Sequence, residues 1–141
     1  LGYKNALTDN GIIYDPSLVY ILNDMSFDEG KYFAKQILKD HDDIDGIFIN
    51  TDLVAIGAIS EFNERGIKIP EDISIVGFSN WFMSSVISPS LTTINQPGFK
   101  MGQTGFKLLY KEIKKRKKAL PIDFKTVELS TELVKRASTK N

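Results

Sequence analysis

The sequence predicts an α/β fold, a doubly wound parallel sheet flanked by helices. Short apolar runs alternate with helix-period patterns along the chain, the mark of parallel strands joined by covering helices. Its 141 residues suit one such domain with an apolar core and leave little for a second. Caps and stop residues fall at the joints between the two kinds of pattern.

The elements follow in order. The chain opens on Leu1-Gly2-Tyr3-Lys4-Asn5-Ala6-Leu7, which reads as the middle of a helix that Gly11 stops. No cap or strand precedes it, so the sequence reads as a piece of a longer protein. Leu18 to Leu22 is a short buried strand. Ser26 caps the next helix, Glu29 completes a capping box, and Phe33, Ile37 and Leu38 form the inner face. Asp45 to Asn50 is a second strand; Thr51 or Asp52 caps a helix that runs to about Arg65 and stops at Gly66. Pro70 and Glu71-Asp72 lead into a third strand, Ile73 to Phe78. A short helix around Trp81 to Ile87, a turn at Ser88-Pro89 and an extended stretch from Leu91 to Asn95 come next. Pro97 fits the first turn of a long helix to about Lys117, with Met101, Leu108, Leu109 and Ile113 on its inner face. Extended pieces near Val127 to Leu129 and Leu133 to Lys135 close the chain.

Composition narrows the function. Lysine plus arginine equals aspartate plus glutamate, 18 against 18, whereas a surface that wraps nucleic acid needs an excess of cations. The basic cluster Lys114 to Lys118 sits at a helix C-terminus, where cations complement the macrodipole and are usually solvated. Without cysteine there is no disulfide, thiolate nucleophile or thiolate metal site. No apolar run reaches the roughly 20 residues that span a bilayer, so the reading is a soluble, cytoplasmic protein with no membrane contact. The lone His41 stands among Asp40, Asp42 and Asp43 in what reads as a solvated loop. There is no G-x-G-x-x-G turn, no P-loop, and no histidine near a candidate nucleophile, so neither catalysis nor a cofactor is expected.

Open α/β sheets bind ligands at the carboxyl ends of their strands. Those ends are Asn23-Asp24-Met25, Asn50-Thr51-Asp52, Ser79-Asn80 and Asn95-Gln96. Polar strand ends on one rim suit a hydroxyl-rich small molecule, because each ligand hydroxyl must find a partner when it leaves water.

From Asp45 onward the chain resembles the LacI/GalR family of bacterial repressors. The matching stretches are DGIFINTDLVAIGAI (Asp45 to Ile59), ERGIKIPEDISIVGF (Glu64 to Phe78), PSLTTINQP (Pro89 to Pro97), Met101-Gly102 and ELVKRAST (Glu132 to Thr139). The resemblance implies a two-lobed core of periplasmic-binding-protein-like type I, with an effector in the cleft between lobes controlling the operator affinity of a helix-turn-helix. Residues 1–141 would be the C-terminal lobe with the crossover helix 97–117. The DNA-binding domain and most of the N-terminal lobe would lie outside it, so this piece should not bind an operator. A periplasmic sugar-binding protein of an ABC transporter shares the fold and cleft; PSLTTINQP, Met101-Gly102 and ELVKRAST favour the repressor branch.

Carried over residue by residue, the resemblance makes Met25, Thr51, Ser79, Asn80 and Gln96 the effector-binding candidates. Met25 falls where the family often has an aromatic that packs on a sugar face. Thr51 and Ser79 replace a ligand-binding asparagine and aspartate, and so offer single hydroxyls instead of a bidentate grip. Asn80 either compensates or caps the following helix, and Gln96 keeps the family's identity. Asp52 keeps the family's acidic residue, read as a cap of its own helix. Trp81 and Phe82 either stack on a ligand or pack under the crossover. Ile56 and Ile59, beside the small Gly57, together with Met83, Val86 and Ile87, match the family's homodimer interface.

In the family a further strand and an effector-contacting arginine precede the position of Leu1. Weak or undetectable effector binding is therefore expected of this piece alone. The strands at Leu18 and Asp45 would flank an empty slot, to be closed by re-pairing or filled by a strand of another copy.

Overall fold

The computed structural model describes residues 2–140. Helix α1 (Gly2–Asp9) ends as expected, with Gly11 at φ 69°. A 3₁₀ turn (Pro16–Leu18) precedes α2 (Phe27–Asp40), β1 (Gly46–Phe48), α3 (Asp52–Glu64) and β2 (Ser74–Ser79). A second 3₁₀ turn (Phe82–Ser85), β3 (Thr92–Asn95), the long α4 (Gly98–Lys117) and β4 (Glu132–Val134) complete the order. The four strands form one sheet in the order β1-β2-β3-β4; the first three are parallel and β4 is antiparallel to β3. The parallel sheet flanked by helices agrees with the sequence.

The core lies between α3 and one face of the sheet. Val54, Ala58 and Phe62 repeat every four residues along α3, with Ala55 and Ile59 beside them, and all are buried. They meet Ile73, Ile75 and Leu91 from the sheet side. The C-terminal tail is stitched to the same layer. The Ser138 hydroxyl accepts from Thr92 N and donates to the Ile75 carbonyl, while Ile75 N donates to the Ser138 carbonyl.

Helix α2 packs on α3 through glycine. A Cβ on Gly57 would run into the Phe27 carbonyl, and one on Gly30 into the Val54 carbonyl, so each helix meets the other's bare backbone. Glu61, 3% exposed, lies in this seam. It accepts from Arg65 Nε at 2.7 Å and faces Lys35 Nζ at 3.5 Å and Lys31 Nζ at 3.8 Å. The Arg65 hydrogen bond, aided by the two lysine charges, outweighs burial and holds the Glu61 carboxyl below the ordinary glutamate range.

Several expectations fail here. No strand forms at Leu18 to Leu22, and no backbone ladder joins this segment to β1. The segment is tethered to α2 instead. Asn23 N and Asp24 N donate to the Glu29 carboxylate at 2.8 and 2.7 Å, and Tyr20 Oη reaches Asp40 Oδ2 at 3.0 Å. The expected re-pairing across the slot therefore does not occur, and Ile21 stays 82% exposed. The same bonds leave only half a capping box: Ser26 Oγ accepts from Glu29 N at 3.2 Å, but the Glu29 carboxylate is spent on Asn23 and Asp24. Finally, the expected inner face of α4 is not inner. Met101, Leu109 and Ile113 are 50%, 61% and 45% exposed, Leu108 is half-buried, and no residue of α4 is buried. Val127 to Leu129 forms no strand.

Two outcomes follow. Gly57→Ala should destabilise the fold by about 1–3 kcal/mol, read as a lower urea midpoint, because backbone faces backbone there and neither side can yield. The folded state binds fewer protons at Glu61 than the unfolded chain does, so its contribution is full above about pH 4.3 and is lost as pH falls through the depressed folded value. Glu61→Gln should therefore flatten the acid limb of a stability-against-pH curve; an unchanged limb would count against this network.

Candidate functional site

Because β1, β2 and β3 run parallel, their carboxyl ends share one rim. Thr51, Ser79 and Asn80 come together there and, with Leu53, Trp81 and Phe82, line an open cleft of about 410 Å³. None of these six side chains is ionisable. Gln96 lies in a second groove of about 210 Å³ with Pro97, Met101, Val127, Leu129 and Thr131. Asn80, in the cleft, donates through Nδ2 to Oδ1 of Asn95, the chain neighbour of Gln96, at 3.1 Å. Met25 is not brought in: 58% exposed in the turn before α2, it lines neither hollow, and the strand expected to present it does not form.

Beneath the rim lies Asp52, wholly buried. Thr51, not Asp52, is the N-cap of α3, its hydroxyl accepting from Leu53 N at 3.3 Å. That leaves Asp52 in the first turn, near the positive end of the helix, with its carboxylate turned into the fold. It accepts from Trp81 N at 2.8 Å, Ser84 Oγ at 2.6 Å and Thr93 Oγ1 at 2.6 Å. The expectation of a simple cap is corrected: Asp52 ties the loop after β2 and the middle of β3 to α3. The sequence held one hint, an acidic residue beside a better cap, but the partners lie 29 to 41 residues away.

The tip of β2 is unusual in its backbone. Ser79 has φ 135° and Asn80 φ 53°, both on the side of the map that favours glycine. Asparagine tolerates the second; serine at the first is strained. The tip is held by Asn80 N donating to Thr93 Oγ1 at 3.3 Å and by Arg136 Nη2 donating to Asn80 Oδ1 at 2.7 Å. The Asn80 amide is thus engaged at both ends, and its role as a free ligand contact shrinks to one remaining N–H. The groups left open at the rim are the Ser79 hydroxyl, the proton of the capping Thr51 hydroxyl, and the edge-on pair Trp81 and Phe82, whose rings lie 5.3 Å apart at 75°. At 43% and 67% exposure, these rings are not packed under a crossover.

The expected dimer residues divide. Ile59 is 3% exposed in the core and Gly57 faces α2, so neither presents a surface. Ile87 packs partly against the core, Ile56 and Met83 are half-buried, and Val86 is 65% exposed. His41 closes α2 and lies edge-on to Tyr20, 6.3 Å between ring centres.

The family model described as "Periplasmic binding protein-like domain" matches residues 1–139. The ribose operon repressor of Halalkalibacterium halodurans is 37% identical over 139 residues, 99% of this chain and 40% of that one. This chain belongs to the LacI/GalR family. Catabolite control protein A of Priestia megaterium is 32% identical over the same share of each chain. Among solved structures, a LacI family regulator from Enterococcus faecium with bound ribose superposes with TM-score 0.82 at 35% identity, covering 98% of this chain and 49% of that one. The CelR–cellobiose complex gives TM-score 0.82 at 28% identity, with 97% and 40% covered. The chain thus spans about 40% of the length of the curated LacI/GalR relatives it matches. Other relatives carry names of transcription regulators, among them RegA of Clostridium saccharobutylicum, 31% identical over 139 residues, 99% of this chain and 40% of that one. Among the described residues, no helix is long and apolar enough to cross a membrane.

Replacing Asp52 by asparagine keeps the shape but turns an amide N–H₂ toward a donor. Asp52→Asn should cost about 3 kcal/mol, measured by denaturant unfolding, with Thr51→Ala costing about 1 kcal/mol by comparison. Equal small losses would contradict the clamp.

Proposed function

We propose that this chain is the C-terminal lobe of the effector-sensing core of a LacI-type transcription regulator, with α4 crossing to a second lobe. Its effector is an uncharged, hydroxyl-bearing small molecule of the sugar class. One observation carries this reading: the cleft at the carboxyl ends of the parallel strands offers two hydroxyls and two exposed aromatic rings, and no charge. A ring with an apolar face stacks on Trp81 or Phe82, while its hydroxyls meet Thr51 and Ser79. The bound ribose and cellobiose of related regulators support a saccharide. Gln96 borders the ligand from its own groove, and Met25 reaches it only with the second lobe in place.

Lobe closure on the effector then controls operator DNA through an N-terminal helix-turn-helix. The protein works in the cytoplasm as a homodimer, with Val86, Met83, Ile56 and Ile87 as the remaining contacts of this lobe. No nucleophile–base pair lines the cleft, so the bound molecule is sensed and not turned over.

Calorimetric titration of the full-length regulator with ribose, cellobiose and their phosphorylated forms tests this. A neutral sugar should bind and release operator, and Ser79→Ala and Trp81→Leu should each weaken it about tenfold. Preference for a phosphorylated sugar, or unchanged affinity in both variants, would overturn the assignment.

A further inference from the structure

The geometry points to Arg136 as a positioning residue of the effector rim, acting through Asn80. Arg136 follows β4 and is half-buried. Its guanidinium is a planar fork: Nη1 donates to the Leu91 carbonyl at 2.7 Å and Nη2 to Asn80 Oδ1 at 2.7 Å. Its backbone N is fixed separately, donating to Thr92 Oγ1 at 2.9 Å. Neither acceptor is a carboxylate, and among the described residues Arg136 forms no salt bridge. A cation placed on two neutral acceptors gives short, charge-assisted hydrogen bonds whose worth lies in direction.

What Arg136 directs is the strained tip. Asn80, at φ 53°, and Ser79, at φ 135°, depart from the extended backbone of β2, and strain of this kind persists only when the surroundings over-determine it. Thr93 holds the Asn80 backbone and Asn95 takes its amide hydrogen, but among the described residues Arg136 supplies the only charged contact to Asn80. Lining neither hollow, it is no ligand contact. It sets where the Ser79 hydroxyl and the Trp81 ring stand. The importance of that rim rests on the proposed function; the bracket itself does not.

Trp81, the sole tryptophan, adjoins Asn80 and reports on the tip without any effector. Arg136→Met removes the fork and keeps the aliphatic stem; Asn80→Gly removes the amide and suits the positive φ. Each should raise the acrylamide quenching constant of Trp81 by about twofold. The double variant should show no more than either alone, since both cut one link. Arg136→Lys, which retains the charge and one donor, should restore part of the protection, and it replaces Arg136→Met in the comparison if that variant does not fold. Lowered melting temperature with unchanged Trp81 quenching, or effects that add in the double variant, would overturn the proposal. Because no sugar is needed, failure here leaves the effector reading standing, and failure of sugar binding leaves this one standing.

Discussion

A wholly buried carboxylate must find hydrogen-bond donors or not be buried, and in this protein that requirement falls on Asp52. Its three donors come from three places: the backbone after β2, a 3₁₀ turn and the middle of β3. Those segments are thereby fixed against the first turn of α3. The arrangement also dictates Gly77, since a Cβ there would strike Asp52 Oδ1 and the Leu91 side chain. Leaving one oxygen unpartnered costs more than a single hydrogen bond is worth, so the donors are held as a set.

The rim of the cleft is a consequence of that set. Thr93 donates to Asp52 and in turn accepts from Asn80 N, so the buried charge reaches the surface through one hydroxyl. The β2 tip then turns sharply through two positive-φ residues and opens Ser79 and the Trp81–Phe82 pair to the cleft. Sheet, clamp and rim are tied together by these hydrogen bonds, whereas α4 has no buried residue.

Local features were legible in the sequence because their causes are local. Ser26, Thr51 and Gly66 mark helix ends with their own side chains or backbone freedom, and the structure places all three at helix boundaries. The apolar repeat of α3 likewise announces its buried face. Leu18 to Leu22 misled because strand formation depends on a neighbour, and its neighbour here is the Glu29 carboxylate and α2. Gly57 and Ile59 were assigned to a partner copy because small and apolar residues suit any close contact; only the fold shows α2 and the core taking them. The expected inner face of α4 failed because the period marks an apolar stripe but does not encode what the stripe faces.

At the site, the strand ends holding Thr51, Ser79 and Asn80 were legible because parallel strands finish on one side, while the choice among their residues came from the family resemblance. The clamp and the Arg136 bracket were not, as their partners lie 29 to 56 residues apart in the chain. Amide hydrogen exchange at Trp81 tests the central claim most directly. That residue is 43% exposed in a segment outside helix and strand, and its N–H is protected only by Asp52 Oδ2 at 2.8 Å. Exchange as slow as that of the β2 amides is the result this account requires. Exchange at the rate of an open loop would mean that the buried carboxylate does not hold the rim.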